Sequence, residues 1–476
     1  MARIDRDIAS WRPCNMAIGS SLKGDGLRAR SIRSSLWTGL SFGASNLLRL
    51  GSNLILTRIL FPEAFGIMAL LQMVMAGLNM FSDIGIRAAI IQNERGDDPA
   101  FLDTAWILQI LRGFVLFAFT WVLAAPVAAF YEVPELEQLL PVVGLVAVFQ
   151  GFNSTKLAFV NRNLMLGRAT AIEIGSNLVG LSVMVGLALA WESVWALAVG
   201  GLVGPFVFML ASHLVLTGHQ NRLRFEKAAA GTLISFGKFI FFSTLAAFLL
   251  AQADRAILGK FVSLSDLALY NIAFMFASLP LMLMRRMTDM VLLPIYSRKP
   301  PADSLENYRN LAKARWLVLG PVMALLSVLA IFGNQLIVAL YDPRYEPAGI
   351  LVVLIAVASS ALVVSGGYGS AILASGNSRM FSNVVISSAL LRTAILGGAI
   401  YFYGVLGAVA APLIATVLFY PVLVAFIRPY RAWLPLQDSV LSVSACTVAA
   451  VALWYNWEVL GAAIDMFGAA ILIRGE

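Results

Sequence analysis

Long apolar stretches follow one another along almost the whole chain, and only short polar turns separate them. An apolar stretch of about 20 residues can cross the hydrocarbon core of a bilayer as an α-helix. The pattern predicts helices at residues 34–58, 64–92, 104–130, 136–160, 168–191, 193–217, 232–254, 267–297, 312–341, 346–374, 380–403, 405–428, 436–456 and 459–473. The sequence therefore predicts an all-α polytopic membrane protein with about 12 to 14 transmembrane helices.

The composition supports this class and excludes several others. Of the 476 residues, 60% are hydrophobic and 13% are charged, whereas soluble domains carry about 25% charged residues. Two cysteines, Cys14 and Cys446, are too few for a disulfide framework or a cysteine-based metal site. The sequence contains no P-loop, GxSxG or HExxH motif. We therefore expect no metal, no cofactor and no enzymatic activity.

The basic residues outside the predicted helices are concentrated on one side of the membrane. With the N-terminus in the cytoplasm, the outer side carries Arg58, Arg255, Lys260 and Arg344, while residues such as Arg315 fall on the cytoplasmic side. An excess of Lys and Arg marks the cytoplasmic side of a membrane protein. The net charge of +8 is thus interpreted as an orientation signal, and no nucleic-acid partner is expected.

The long polar connection Thr217–Gly231 divides the chain into two halves of six predicted helices each. Residues 168–200 align without a gap with residues 379–411, and Arg58 and Arg255 are each expected to end the first helix of their half. Six helices per half place both in one orientation, so a pseudo-two-fold axis would run along the membrane normal. The predicted units are a basic cytoplasmic tail (1–33), an N-terminal lobe (34–217), a cytoplasmic linker (218–231), a C-terminal lobe (232–430) and about two additional C-terminal helices (431–476).

Charged residues inside the predicted helices are mostly basic. The bases are Arg49, Arg87, Arg112, Lys156, Lys238, Arg285, Arg286 and Arg392, and the acids are Asp83, Glu173, Asp289 and Asp465. A charge at the bilayer centre costs about 2.5–3.5 kcal/mol on insertion scales, so it should face a polar cavity or a partner. A cavity with excess arginine selects anions, and arginine binds phosphate with two parallel hydrogen bonds.

Arg49 and Arg392 are the strongest candidates for such a cavity because both lie near the midplane of their helices. Arg49 lies about 22 Å along the first predicted helix and shares a polar helical stripe with Ser45 and Ser52. Binding of an anion is the functional interpretation. Packing against carbonyl groups or an acid of a neighbouring helix is the alternative.

Four further basic residues are candidates for the same cavity: Arg112, Lys238, Arg285 and Arg286. Arg112 could instead extend its head group towards the cytoplasmic interface. Arg285 can pair with Asp289 one turn further on, and one of Arg285 and Arg286 is expected to line the cavity.

Asp83 and Arg87 are four residues apart in the second predicted helix. At this spacing we expect the two side chains to form a structural charge pair.

The opening helical hairpin carries a resemblance to a known family. Its residues are Thr57-Arg58-Ile59-Leu60-Phe61-Pro62-Glu63-Ala64-Phe65-Gly66-Ile67-Met68, then Asp83-Ile84-Gly85 and Ala88-Ala89-Ile90-Ile91-Gln92. The second half adds Asp254-Arg255-Ala256-Ile257-Leu258-Gly259, Tyr270-Asn271-Ile272-Ala273, Leu279-Pro280, Pro294-Ile295-Tyr296-Ser297 and Ala374-Ser375-Gly376-Asn377. Together they resemble the polysaccharide transporters, or Wzx-type flippases, of the multidrug/oligosaccharidyl-lipid/polysaccharide exporter superfamily.

The resemblance implies two six-helix lobes around a central cationic cavity in the bacterial inner membrane. It implies transfer of undecaprenyl-diphosphate-linked oligosaccharide to the periplasmic leaflet for exopolysaccharide, capsule or lipopolysaccharide O-antigen synthesis. Membrane lipids, a polysaccharide polymerase and export machinery are the expected partners. Three alternatives remain open: a lipid II flippase, a cation-coupled drug exporter of the same superfamily, and a membrane polysaccharide polymerase or ligase. The drug exporter would require buried carboxylates, and the polymerase would require a large outer loop.

Overall fold

The computed structural model describes residues 27–83, 85–163, 165–237 and 241–472. Within these ranges every regular element is a helix, which confirms the all-α fold class. The first half contains α1 (Leu27–Ile59), α2 (Pro62–Ser82), α3 (Ile86–Gln92), α4 (Pro99–Tyr131), α5 (Glu135–Gly151), α6 (Lys156–Arg162), α7 (Leu166–Trp191) and α8 (Val194–Leu214).

The second half begins with α9, a short helix that follows the polar linker. The helices from this point onwards are α9 (Lys227–Gly237), α10 (Phe241–Phe261), α11 (Leu264–Met287), α12 (Leu293–Arg298), α13 (Leu305–Leu340), α14 (Ala348–Val364), α15 (Tyr368–Ala374), α16 (Ser378–Ile427), α17 (Pro435–Tyr455) and α18 (Trp457–Leu472). A π-helical segment, Thr288–Leu292, joins α11 to α12.

Within the described residues, nine helical segments are long and apolar enough to cross a membrane, or ten if the bent pair α5 and α6 forms one span. This count takes Ser378–Tyr430 as a single segment, although Gly404 divides it. Gly404 has φ 51° and ψ −128° inside α16, a conformation that only glycine adopts without strain. The two helices predicted at 380–403 and 405–428 therefore meet at this kink.

Corresponding helices of the two halves are interrupted in the same places. In the second predicted helix of each half, Asp83–Gly85 separates α2 from α3, and the π-helical segment separates α11 from α12. In the fourth, a bend of 59° separates α5 from α6, and Gly367 with φ 84° separates α14 from α15. The repeated interruptions agree with two lobes related by a pseudo-two-fold axis.

The two lobes pack together along α2, which lies against α11 and α10. The contact is closest where both second helices begin: a Cβ atom on Gly66 would lie 2.1 Å from the Leu264 carbonyl oxygen. Only glycine permits this approach of two backbones. We call this the outer end, following the orientation predicted from the distribution of Lys and Arg.

Tyrosine hydroxyl groups join the lobes at the outer end in both directions. Tyr131, at the end of α4, donates to the Ala256 carbonyl of α10 at 3.1 Å. Tyr345, in the loop after α13, is fully buried and donates to the Leu60 carbonyl after α1 at 2.9 Å. Each lobe thus binds the outer end of the other lobe's first helix, and the outer end is closed.

The outer closure has further polar contacts on both sides. Lys260 pairs with Glu132 at 2.6 Å. The Arg344 guanidinium lies 5.1 Å from the centre of the Phe61 ring and donates to the Arg58 carbonyl at 3.3 Å.

A buried arginine fastens α17 to the C-terminal lobe. Arg315 of α13 was expected on the solvated cytoplasmic side, but its side chain is completely buried. Its guanidinium donates to Asp438 Oδ1 at 2.6 Å and Gln437 Oε1 at 3.1 Å, both on α17. It also donates to the carbonyl oxygens of Gly366 and Val364, which terminate α14. The interruption of α14 frees these carbonyl groups from the helix, and Arg315 satisfies them.

Asp438 accepts hydrogen bonds from two tyrosines in addition to this ion pair. The Tyr368 hydroxyl donates to Asp438 Oδ2 at 2.5 Å, and the Tyr420 hydroxyl donates to the same oxygen at 2.6 Å. The Arg315 guanidinium also lies 4.1 Å from the centre of the Tyr368 ring. These contacts connect α13, α15, α16 and α17 into one unit.

We predict that Asp438→Asn destabilises the protein by about 3–5 kcal/mol, because it leaves a buried arginine without its counter-charge. The thermal unfolding midpoint in detergent should fall. Asp465→Asn, at an exposed acid of α18, is the control and should leave the midpoint unchanged. The double variant Arg315→Met/Asp438→Leu should recover much of the loss. Equal midpoints for Asp438→Asn and the wild type would contradict this role.

Candidate functional site

A cavity of about 330 Å³ opens between α1, α7 and α8 of the N-terminal lobe. Its polar lining comes from Ser45, Arg49 and Ser52 of α1 and from Asn177 of α7. The predicted polar stripe of α1 therefore faces a cavity, as its spacing indicated.

Glycines form the far wall of this cavity. A Cβ atom on Gly180 of α7 would lie 2.8 Å from the backbone nitrogen of Gly204 on α8. The two helices can pack this closely only because both positions lack a side chain. Their close contact fixes the wall against which α1 presents Arg49.

The Arg49 side chain is exposed and keeps most of its donors free. Its Nη2 donates to Asn46 Oδ1 on the same helix at 3.1 Å. Within the described residues, Nε and Nη1 have no hydrogen-bond partner and no acid forms an ion pair with Arg49. The charge that acts on Arg49 is instead that of another cation, Arg255, from the C-terminal lobe.

The structure places Arg255 differently from the position that the sequence predicted. It was expected at the outer end of the first helix of its half, yet α10 continues to Phe261. Arg255 therefore lies about 9 Å inside the helix end, at 1.5 Å per residue. The signal for the later boundary is Ser263, whose side chain accepts from the Asp266 backbone N–H and so caps α11.

Neighbouring side chains hold Arg255 in place. Nε donates to Asn271 Oδ1 at 2.9 Å, and Nη1 donates to Gln252 Oε1 at 3.3 Å. The guanidinium carbon lies 4.7 Å from the centre of the Phe274 ring. Among the described residues Nη2 has no hydrogen-bond partner, so it can donate to a ligand.

Asp254 partly balances the charge of Arg255 at a distance of 3.9 Å. Its carboxylate is engaged elsewhere, because Oδ1 accepts from the Arg255 backbone N–H and Oδ2 accepts from the Tyr270 hydroxyl at 2.8 Å. Arg392 acts electrostatically on the same Tyr270. Arg392, a predicted site residue, lies on α16 and is half-buried.

Arg112 uses its donors to hold α2. Nε donates to Ser82 Oγ at 3.0 Å, and Nη2 donates to the Asn79 carbonyl at 2.8 Å. The carbonyl groups of the last turn lack helical partners because α2 ends at Ser82. The contacts favour a structural role for Arg112 over the predicted role in the cavity.

The predicted charge pair between Asp83 and Arg87 does not form between these two described residues. The chain turns at Gly85, with φ 66°, so positions four apart do not face each other on one helix. Asp83 instead accepts a hydrogen bond from the Gly85 N–H at 2.9 Å, and its charge acts on Arg112.

The predicted pair Arg285 and Asp289 is also absent from the part of the chain that the structure describes. The π-helical segment begins at Thr288, and its wider hydrogen-bond spacing moves residues four apart out of alignment. Arg285 is exposed, while Arg286 is half-buried. Their place in the cavity stays a prediction. Lys238 lies outside the described residues.

One acid lies close to the polar stripe of α1. Glu173 of α7 accepts hydrogen bonds from Ser41 Oγ at 2.8 Å and Ser45 Oγ at 3.5 Å. Glu173 accepts these hydrogen bonds from hydroxyl groups and not from Arg49, so the guanidinium of Arg49 remains available. The arrangement can hold an anion, because donors on Arg49 and Arg255 have no partner among the described residues.

Comparison with known proteins places the chain in a family. A model for polysaccharide biosynthesis proteins matches residues 55–348. Teichuronic acid biosynthesis protein TuaB of Bacillus subtilis (strain 168) is 24% identical over 303 residues, which cover 62% of this chain but only 61% of TuaB. Lipopolysaccharide biosynthesis protein WzxC of Escherichia coli (strain K12) is 22% identical over 426 residues, covering 86% of this chain and 85% of WzxC.

The fold is similar to that of a solved membrane transporter. The lipid II flippase MurJ, in an inward closed conformation, superimposes with a TM-score of 0.68 over 93% of this chain and 99% of the MurJ chain. At 13% sequence identity this similarity concerns the fold alone, and it supports the two-lobe architecture.

The matched family region runs from the outer part of α1 to the start of α14 and so includes the opening hairpin, Arg255 and the outer closure. It covers more than half of the chain. The chain therefore belongs to the polysaccharide biosynthesis protein family, and its resemblance to the Wzx-type polysaccharide transporters is confirmed.

Proposed function

We propose that the protein moves undecaprenyl-diphosphate-linked oligosaccharide from the cytoplasmic to the periplasmic leaflet of the bacterial inner membrane, with its N-terminus in the cytoplasm. The observation that carries the proposal is Arg49, which lines a polar cavity and has no ion pair among the described residues, while the positive charge of Arg255 from the other lobe also acts on it. Two like charges in a medium of low dielectric constant repel strongly. An anion that binds both would remove this repulsion.

A diphosphate matches this requirement in charge and geometry. It carries about two negative charges, and guanidinium groups bind phosphate oxygens with paired, charge-assisted hydrogen bonds. Arg49 would donate through Nε and Nη1, Arg255 through Nη2, and Arg392 would add a third positive charge. The polyprenyl chain would remain in the bilayer while the sugars pass through the polar interior.

Binding of the diphosphate would favour a movement of the two lobes relative to each other. Without the anion, repulsion between Arg49 and Arg255 opposes a closer approach of the two lobes. With the anion bound, attraction replaces repulsion, and the lobes can close around it while the outer end opens. A ligand shifts a conformational equilibrium only through such differential interactions.

The membrane potential would favour outward transfer of the substrate. Each elementary charge is worth about 2.3 kcal/mol per 100 mV. Two negative charges that cross an inside-negative membrane would gain about 4.6 kcal/mol at 100 mV. This driving force requires no coupling ion.

Lipid II has the same polyprenyl diphosphate, so a lipid II flippase remains the second candidate. The cationic cavity recognises the shared diphosphate and does not by itself select the sugar.

We predict that Arg49→Ala and Arg255→Gln each weaken substrate binding about 10- to 100-fold, the worth of a hydrogen bond to a charged group. Each variant should fail to restore surface polysaccharide in a strain that lacks its own flippase, at normal protein levels in the membrane. Arg58→Gln, at the exposed outer end of the same α1, removes an equal charge and should restore the polysaccharide. Normal polysaccharide with both site variants would contradict the assignment.

Arg112→Gln tests the structural role of Arg112, which was predicted from the sequence to line the cavity. It should lower the thermal unfolding midpoint, because the Asn79 carbonyl and Ser82 lose a charged donor. The affinity of the folded fraction for polyprenyl diphosphate should remain close to that of the wild type. A large loss of affinity at an unchanged midpoint would return Arg112 to the binding site.

The outer closure must open during transport, so weakening it should populate the outward-open state. Tyr131→Phe/Tyr345→Phe removes two hydroxyl groups and about 2 kcal/mol of hydrogen bonding, which is about 30-fold in the equilibrium. In a protein without native cysteines, Thr57→Cys, buried in the closed end, should then react faster with an impermeant maleimide added from outside. Tyr401→Phe, at an exposed tyrosine, is the control. Unchanged labelling would show that these bonds do not control opening.

A further inference from the structure

The polar linker between the lobes is fixed to the N-terminal lobe by buried side chains. Asp103 of α4, 2% exposed, accepts hydrogen bonds from the Arg222 backbone N–H at 2.9 Å and pairs with His219 Nε2 at 2.7 Å. Thr104, which is fully buried, accepts from the Glu226 backbone N–H at 2.9 Å. Buried polar groups that bond to this segment give it a defined conformation.

Two further contacts fix the same segment at its sides. Asn221 accepts a hydrogen bond from Ser154 Oγ at 2.9 Å and donates to Thr155 Oγ1 at 2.6 Å, next to the start of α6. Glu226 receives two hydrogen bonds from Arg95, both at 2.9 Å. The Arg95 guanidinium holds the pKa of Glu226 below its usual range, so the carboxylate stays ionised at neutral pH.

The side chains that this fixed segment presents outwards are apolar and basic. Leu223 is 81% exposed and Phe225 is 58% exposed. Arg222, Arg224 and Lys227 beside them are exposed as well. Large apolar side chains in a rigidly held polar loop are unfavourable in water, which indicates that another surface covers them.

The position of the segment along the membrane normal indicates which surface covers Leu223 and Phe225. Its anchors, Asp103 and Thr104, lie in the second turn of α4, which starts at Pro99. A helix of 33 residues is about 50 Å long, whereas the hydrocarbon core is about 30 Å thick. The first turns of α4 therefore lie at the level of the lipid head groups, on the side predicted to be cytoplasmic.

We propose that residues 222–227, the interfacial segment, bind anionic phospholipids of the cytoplasmic leaflet. Leu223 and Phe225 enter the boundary between head groups and acyl chains, and Arg222, Arg224 and Lys227 contact lipid phosphates. Basic residues beside apolar side chains are typical of interfacial membrane anchors. Charge complementarity favours this occupant over the N-terminal tail, because the tail is itself basic.

Lipid binding at this position would fix the depth of the N-terminal lobe in the membrane. The segment is bonded to α4 of that lobe and ends at Lys227, the first residue of α9. The N-terminal lobe would then keep its place in the cytoplasmic leaflet while the C-terminal lobe changes its position.

The test uses the full chain in vesicles of phosphatidylethanolamine with and without phosphatidylglycerol. Native Cys14 and Cys446 are replaced by Ser, and a nitroxide is attached through Leu223→Cys. With phosphatidylglycerol, collisions with oxygen should outweigh those with a water-soluble nickel complex, which places the label below the phosphates. Asp303→Cys, in the exposed loop before α13, provides the aqueous reference. A label at 223 that behaves like this reference would overturn the proposal.

Charge removal separates anionic lipid binding from simple burial. Arg222→Gln/Arg224→Gln should reduce retention of phosphatidylglycerol by the purified protein about 30-fold, since each basic residue is worth about 1 kcal/mol, and should move the label at 223 towards water. Arg309→Gln, at an exposed basic residue of α13, should change neither measurement. The proposal fails if removal of residues 2–26 alone exposes the label, since the tail then occupies the segment. It also fails if labels on two copies couple magnetically, since a second chain then covers it.

Discussion

Like charge on two arginines from opposite lobes, Arg49 and Arg255, is the electrostatic constraint on which the proposed function depends. Among the described residues no acid pairs with Arg49, Asp254 lies 3.9 Å from Arg255, and polar groups orient both guanidinium groups. A cation inside a membrane without a full counter-charge is costly, and Arg49 is exposed to a polar cavity. In the proposed function, an anion from outside the chain supplies this counter-charge.

Other arginines have their hydrogen-bond donors satisfied within the protein. Arg315 is completely buried, yet its donors are met by Asp438, Gln437 and the carbonyl groups at the end of α14. Arg112 satisfies the end of α2 in a similar manner. Interrupted helices create unsatisfied carbonyl groups, and arginines satisfy them. This contrast separates arginines that hold the scaffold from those that remain available to a ligand.

Apolar periodicity predicted the all-α fold and most helix boundaries because a bilayer imposes one length and one composition on every span. It could not locate helix interruptions, which depend on single residues such as Gly85 and Gly404. The expected pairs Asp83 with Arg87 and Arg285 with Asp289 were wrong for this reason, since both assumed a continuous helix. Arg255 was placed at the helix end because the polar pair Asp254-Arg255 interrupts the apolar stretch of α10. The excess of basic residues inside the helices could be predicted from the sequence, but which of them have donors available for a ligand depends on tertiary contacts.

Electron cryo-microscopy of the full chain in lipid nanodiscs with undecaprenyl diphosphate tests the central claim most directly. The account predicts density for the diphosphate between α1 and α10, in contact with the guanidinium groups of both Arg49 and Arg255. Density for the diphosphate elsewhere on the protein, with both guanidinium groups unengaged, would contradict it.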